Sequence, residues 1–290
     1  MTEGGPALAF RDMTEGDLPD GLRLSRASGW NQTIGDWGLL LSLGPGLFRV
    51  AVLEGRVVAS GGAVRYGEAL AWICMILVEP GHRGHGLGTR VFDEVLDRVR
   101  LLLDRGALRA LGLDATPAGR GIYLQRGFVD GPGLVRLRAE PATGGPTPEA
   151  VHHLDASDVD AVLGVDRVVF GADRGGVLIR ALAEAPDLAR VVHAGRVRGY
   201  CFGRHGDHSD HVGPVVAEDP DLARDLVAAC RSVPRARPLI VDARAEPDWL
   251  AALGELGFRK QRSFTRMYLG EARPDARPAL EHAVAGPELG

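Results

Sequence analysis

Apolar and polar positions along this 290-residue chain follow two periods. Runs that alternate or stay apolar for four to eight residues read as strands. Stretches with apolar residues three and four apart read as helices. Phe48–Gly61 (FRVAVLEGRVVASG) predicts a strand, a tight Glu54-Gly55 turn and a second strand. Ala71–Val78 (AWICMILV) is apolar at every position, as in a buried central strand, and Glu79-Pro80 ends it. Gly81–Gly88 is glycine-rich. Thr89 then opens an amphipathic helix whose Val91, Phe92, Val95, Leu96, Val99 and Leu102 share one face.

The plan occurs twice. Arg190–Gly203 (RVVHAGRVRGYCFG) repeats the strand, turn and strand, turning at Ala194-Gly195. Acidic segments, Asp12–Asp20 and Asp155–Asp166, open the two halves. Gly127-Phe128 and Gly257-Phe258 precede their closing strands, Leu134–Leu137 and Phe264–Leu269. A long-period internal repeat is the simplest account. The expected organisation is a first domain over 1–138, a Pro/Gly-rich linker over 139–150 (AEPATGGPTPEA from Ala139), a second domain over 151–270, and a flexible tail over 271–290. The fold class is α+β, each domain a mixed, mostly antiparallel sheet flanked by helices.

Charge and cysteine usage narrow the classes. With 34 basic and 38 acidic residues the net charge is −4, so no global positive field attracts nucleic acid or anionic lipid. No apolar run reaches the roughly 20 residues of a membrane span, and Met1–Asp12 lacks a leader's basic start and apolar stretch. Cys74, Cys201 and Cys230 are far apart in sequence. That set suggests reduced thiols in the cytoplasm rather than a disulfide framework or zinc knuckle.

A strand, a glycine-rich turn and a helix N-terminus make an anion site, because free N–H groups and the helix dipole point the same way. The Lys of a GxxxxGK phosphate loop is absent, and no GxGxxG dinucleotide turn fits. Arg83-Gly-His-Gly86-Leu-Gly88, preceded by Val78-Glu-Pro80 and followed by Thr89, does match the Q/R-x-x-G-x-G/A signature. In this the chain resembles the GCN5-related N-acetyltransferases (GNATs), and in its repeat it resembles tandem members of that superfamily with one active half.

The resemblance implies acetyl-coenzyme A as co-substrate, with its pyrophosphate on the amides of Arg83, Gly84, His85, Gly86, Leu87, Gly88 and Thr89. It implies backbone contacts from Ile76 and Val78 to the acetyl carbonyl and pantetheine arm, and no metal. In Asp114–Phe128 the family pattern Tyr-x-x-x-Gly-Phe puts Tyr123 in the general-acid position, while ring packing on pantetheine or the core is the alternative reading. Thr116 stands where many relatives have Asn. Where histone-modifying relatives place a Glu base, this chain has Trp72; Glu68, at the preceding turn, is the substitute candidate, or else a solvated hairpin carboxylate. Trp30, Asn31 and Trp37 lie where the family's acceptor loops sit, although two Trp there also suit a helix-packing staple.

The second half lacks this equipment. Glu218, Asp219 and Asp221 follow its corresponding strand, His211–Ala217, and would repel pyrophosphate. Leu253 stands at the Tyr123 position. The cluster His205–His211 (HGDHSDH) contains metal-ligating types, but lies between two strands, where turn chemistry is the better reading. The expected activity is acetyl transfer to a primary amine of a small molecule, such as an amino sugar, amino acid or polyamine. Protein N-terminal acetylation and a non-catalytic acyl-coenzyme A sensor are the rivals. Neither nucleic acid nor membrane is an expected partner, and monomer and homodimer remain open.

Overall fold

The computed structural model describes residues 8–270, 272 and 276–290. Residues 1–7 of the segment tested for a leader, and 271 and 273–275 of the expected tail, lie outside it. Contacts divide the chain into two compact units, Met1–Leu113 and Asp114–Gly290.

In the first unit, strand β1 (Leu8–Asp12) leads to helices α1 (Leu18–Ala27) and α2 (Ile34–Leu43), then to β2 (Arg49–Leu53), β3 (Arg56–Tyr66), β4 (Leu70–Val78), α3 (Leu87–Asp104) and the start of β5 (Ala110–Ala115). β1 to β4 pair antiparallel in order, and β4 meets β5 parallel after the α3 crossover. The β2–β3 turn has Glu54 and Gly55 at φ 51° and 79°. Those are type I′ values, which match the twist of the flanking strands. α3 buries Leu87, Val91, Phe92, Val95, Leu96 and Val99. It approaches β3 closely because Gly61 has no Cβ: one placed there would lie 2.7 Å from Val91.

The second unit continues with α4 (Pro117–Leu124), β6 (Val129–Ala139), β7 (His152–His153), α5 (Val159–Phe170), α6 (Gly175–Glu184), β8 (Arg190–His193), β9 (Val197–His205), β10 (Asp210–Ala217), α7 (Pro220–Ser232), β11 (Leu239–Arg244), α8 (Pro247–Glu255), β12 (Arg259–Gly270) and β13 (Glu281–Ala283). β6, which closes the first sequence half, pairs on one side with β11 and on the other with β12. The division along the chain therefore falls between Leu113 and Asp114 rather than at the linker. Val135, Leu137 and Ala139 of β6 join the core formed under α7 and α8.

The repeat is visible in matching details. Thr14 N–H donates to Asp17 at 2.8 Å, and Asp155 N–H to Asp158 at 3.0 Å. Glu79 accepts from Arg56 as Glu218 accepts from Arg196. In β4 the pairing with β3 steps from Gly62↔Cys74 to Ser60↔Leu77; in β10 it steps from Gly203↔Val212 to Cys201↔Val215. Each is a bulge with two residues against one, at the same place in both copies.

One expectation changes. Residues 281–290 are not a flexible tail: Glu281, His282, Ala283, Val284, Ala285, Glu288 and Leu289 are buried. β13 inserts between β10 and β11, and apolar burial plus ladder bonds outweigh the loop-like composition. Cys201 and Cys230, 29 residues apart, bring their sulfurs to 3.5 Å in the core, and all three cysteines are free thiols. No helix among the described residues is long and apolar enough to cross a membrane.

Candidate active site

Pairing of β4 with β5 runs from Leu70↔Ala110 to Ile73↔Leu113 and stops there. The bulge follows at once. Met75 adopts φ 57°, a left-handed value that costs a non-glycine residue roughly 1–2 kcal/mol. Its carbonyl is held by the Ser60 hydroxyl at 3.1 Å. Ile76 and Val78 are half-buried on the stretch beyond the last β5 pair. The Ile76 side chain packs toward Gly61, so any ligand contact from this residue uses backbone.

After β4 the chain makes one turn of 3-10 helix at Pro80–His82, then Arg83, and α3 begins at Leu87, two residues before the expected Thr89. Gly84 and Gly86 take φ 83° and 74°, the left-handed region that glycine enters without penalty. No atom lies within 4 Å of a Cβ built at Gly81, Gly84 or Gly86, so the backbone is open to approach. Among the described residues the amides of Gly84 to Thr89 donate to no acceptor, and Leu87, Gly88 and Thr89 are the first turn of α3. The loop is fixed from its ends. Arg83 donates from Nε to the Val78 carbonyl and from Nη2 to the Ser28 hydroxyl, both at 3.0 Å. Glu79 takes Arg23 at 2.5 Å together with Arg56. A row of free N–H groups at a helix start suits a diphosphate. Beside it lies a cavity of about 310 Å³, lined by Leu53, Val58, His82, His85, Leu87 and Arg90 among others.

Tyr123 and Thr116 lie on α4, in the second unit. Thr116 is the N-cap: its hydroxyl accepts from Gly119 N–H at 3.3 Å, so its contact to a ligand competes with capping. The Tyr123 ring folds back over Gly119; a Cβ there would meet ring atoms at 3.0 Å and the phenol oxygen at 3.1 Å. Gly119 was absent from the expected site, although a glycine four residues before a tyrosine on one helix face is a readable signal. The Phe128 ring packs nearby, tilted by 58° with 6.2 Å between centroids. Burial pushes the Tyr123 phenol up to about 12, so it is protonated at neutral pH.

Three expected residues fall elsewhere. Glu68 is exposed at the β3–β4 turn. β4 starts at Leu70, just after this turn, and rises roughly 20 Å to Ile76, too far for a direct proton transfer. Trp37 is fully buried; its Nε1–H donates to Ser25 at 2.9 Å, and its ring covers Gly21 of α1. It is a staple between α1 and α2. Asn31 is buried as well, at 1% exposure, while Trp30 is half-buried on the α1–α2 connection.

In the second copy the same positions are closed. Leu253 replaces Tyr123 and is fully buried, with Phe258 N–H donating to its carbonyl as Phe128 N–H does to that of Tyr123. Trp249 replaces Gly119 and donates from Nε1 to the His282 carbonyl at 2.9 Å. β10 and β11 part beyond Val212↔Val241, and β13 fills the opening. A Cβ on Gly213 would lie 2.0 Å from the Val284 carbonyl, so this glycine admits the inserted segment. Two histidines of the cluster are held in ion pairs: His205 meets Asp210 and Asp187, and His211 meets Asp242. No group of three His, Cys, Asp or Glu among the described residues is arranged to hold a metal ion.

Comparison with known proteins agrees with this doubled plan. Residues 13–128 match the model of the acetyltransferase (GNAT) family, and residues 162–280 match a second model, an acetyltransferase (GNAT) domain. The chain belongs to the GNAT acyltransferases. It is similar to a holothin acyltransferase of Pseudoalteromonas sp. (strain SANK 73390), 26% identical over 267 residues, which is 91% of this chain and 88% of that protein. Its fold is similar to a putative acetyltransferase of Pyrococcus horikoshii, with TM-score 0.78 at 22% identity, covering 98% of this chain and 96% of the other. A tandem GNAT protein from the clavulanic acid biosynthesis pathway aligns with TM-score 0.61 at 15% identity over 92% of this chain and 100% of its own. Both GNAT copies in this chain thus carry the fold, and one carries the open glycine loop.

Proposed function

We propose that this protein transfers an acetyl group from acetyl-coenzyme A to a primary amine of a small molecule, by direct attack in a ternary complex. The observation that carries the reading is the row of unengaged amides from Gly84 to Thr89, directly after a bulged strand. Bound there, acetyl-coenzyme A would supply an acyl thioester, which forms an amide with the amine as its carbon–sulfur bond breaks. The loop amides and the start of α3 would hold the pyrophosphate, and the Ile76 backbone at the bulge would donate to the thioester carbonyl. Tyr123, protonated up to about pH 12, gives its proton to the departing sulfur. Glu68 takes no part; the amine's proton leaves to water or to a group of the acceptor itself.

A small-molecule acceptor is supported by the relatives. The Pseudoalteromonas protein is named for acylation of holothin, and the tandem GNAT neighbour belongs to the clavulanic acid biosynthesis pathway. The second copy does not bind the co-substrate, because β13 fills its opening and Glu218 and Asp219 stand where the loop amides would be. The test is thiol release from acetyl-coenzyme A across a panel of small amines and N-terminal peptides. Turnover is expected on a small amine. Turnover on peptides alone, or tight binding with no turnover on any amine, would overturn the reading.

A further inference from the structure

β6 and β12 carry an arrangement that acyl transfer does not use. Arg136 and Arg138, two residues apart, share one face of β6. β12 sets Arg262 directly opposite Arg136, because a bulge between Lys260 and Arg262 turns it onto that face. Like charges opposite each other across a strand pair repel.

Arg136 is compensated. It is buried and gives Nε and Nη2 to the two oxygens of Asp242 at 2.7 and 2.6 Å, and His211 holds the same carboxylate at 3.0 Å. Arg262 is not. It is half-buried, and among the described residues no group accepts from its guanidinium. Burial and the neighbouring Arg136 both disfavour its charge, against the weaker pull of Asp242. Arg138 reaches Glu140 only at 3.4 Å on the rim, and its Nε is buried without an acceptor. His208, on the β9–β10 turn, lies within electrostatic reach of the same three guanidiniums. Its pKa is lowered by partial burial and by Arg136, Arg138 and Arg262, with Asp207 opposing. The remaining nearby carboxylate, Glu288, is engaged by Arg204 at 2.7 Å.

We propose that Arg138, Arg262 and His208 form a binding site for a small oxyanion, the carboxylate or phosphate group of an organic ligand, with Arg136 held behind them by Asp242. The register sets Arg136, Arg138 and Arg262 on one face of the β6–β12 pair, and a guanidinium is a planar fork that can take an oxyanion in bidentate fashion. A bound anion removes the repulsion that the fold otherwise maintains. The site stands independently of the acetyl-transfer reading.

The probe is inorganic phosphate titrated against the full chain, with ionic strength held by chloride and binding read by calorimetry and melting temperature. Two components are expected in the wild type, one from the Gly84–Thr89 amides and one from this site. Arg262→Gln and Arg138→Gln should each weaken the second component at least tenfold and leave the first. Arg259→Gln, whose parent side chain is spent on the Gly254 and Phe258 carbonyls, should change neither. Without phosphate, Arg262→Gln should melt no lower than the wild type, since it relieves repulsion. Acetate in place of phosphate assigns the preferred group, and saturable binding of either supports the site. A response matching that of chloride, phosphate binding unchanged in Arg262→Gln, or a lower melting temperature of that variant in buffer would each overturn it.

Discussion

Replacing Gly119 by alanine should separate turnover from stability. In α4 the new methyl would sit 3.0 Å from the Tyr123 ring and 3.1 Å from its oxygen, against the 3.4–4 Å of ordinary contact. The ring must retreat by a few tenths of an ångström. Misplacement of a reacting group by about 1 Å costs roughly 100-fold in rate, so this shift should lower kcat about fivefold. Helix propensity acts in the other direction: alanine stabilises a helix by up to about 1 kcal/mol over glycine. Melting temperature should therefore hold or rise while kcat falls, and affinity for acetyl-coenzyme A, carried by the Gly84–Thr89 amides, should stay within about twofold. The assay is steady-state kinetics beside a thermal melt and a binding isotherm. Unchanged kcat, or a parallel fall in kcat and melting temperature, would refute the placement of Tyr123 by Gly119.

Five further outcomes are expected. Tyr123→Phe should lower kcat about 100-fold with little change in binding of acetyl-coenzyme A, seen by kinetics and calorimetry. The Tyr123 phenol is raised in the folded state, so its contribution to stability is complete below pH 10 and falls as pH rises from about 10 toward 12; denaturant titrations should show a smaller alkaline loss in Tyr123→Phe. Gly86→Val, which forces a β-branched residue to φ 74° in the open loop, should weaken acetyl-coenzyme A binding about tenfold or more. Calorimetric stoichiometry should be one acetyl-coenzyme A per chain; two would contradict the filling of the second opening by β13. Asp242→Asn should cost about 3 kcal/mol by leaving Arg136 buried without its counter-charge, and joint replacement by Arg136→Met and Asp242→Leu should recover most of the loss in urea unfolding.

The legible part of this protein was local. Alternating and apolar runs located β2, β3, β4, β8 and β9 because side-chain direction has period two in strands. Spacing of three and four placed α3 because one helix face must be buried. The glycine loop was readable because left-handed backbone at Gly84 and Gly86 admits little besides glycine. The repeat was readable because both copies meet the same local demands.

What local pattern could not carry was decided by partners distant in sequence. Trp37 looks the same in a loop or a core, and only Gly21 and Ser25 make it a staple. Glu68 is next to β4 in sequence, yet strand rise carries it to the far end from the loop. β6 reads as the end of the first half, but ladder bonds to β11 and β12 place it in the second unit. Residues 281–290 read as tail by composition, and become core because the parted β10 and β11 offer unpaired backbone that a short strand can satisfy. Sequence by itself determined the elements, the duplication and the anion loop, since each depends on residues within one turn or one strand. Tertiary structure decided which copy stays open, since that depends on what fills the gap between two strands.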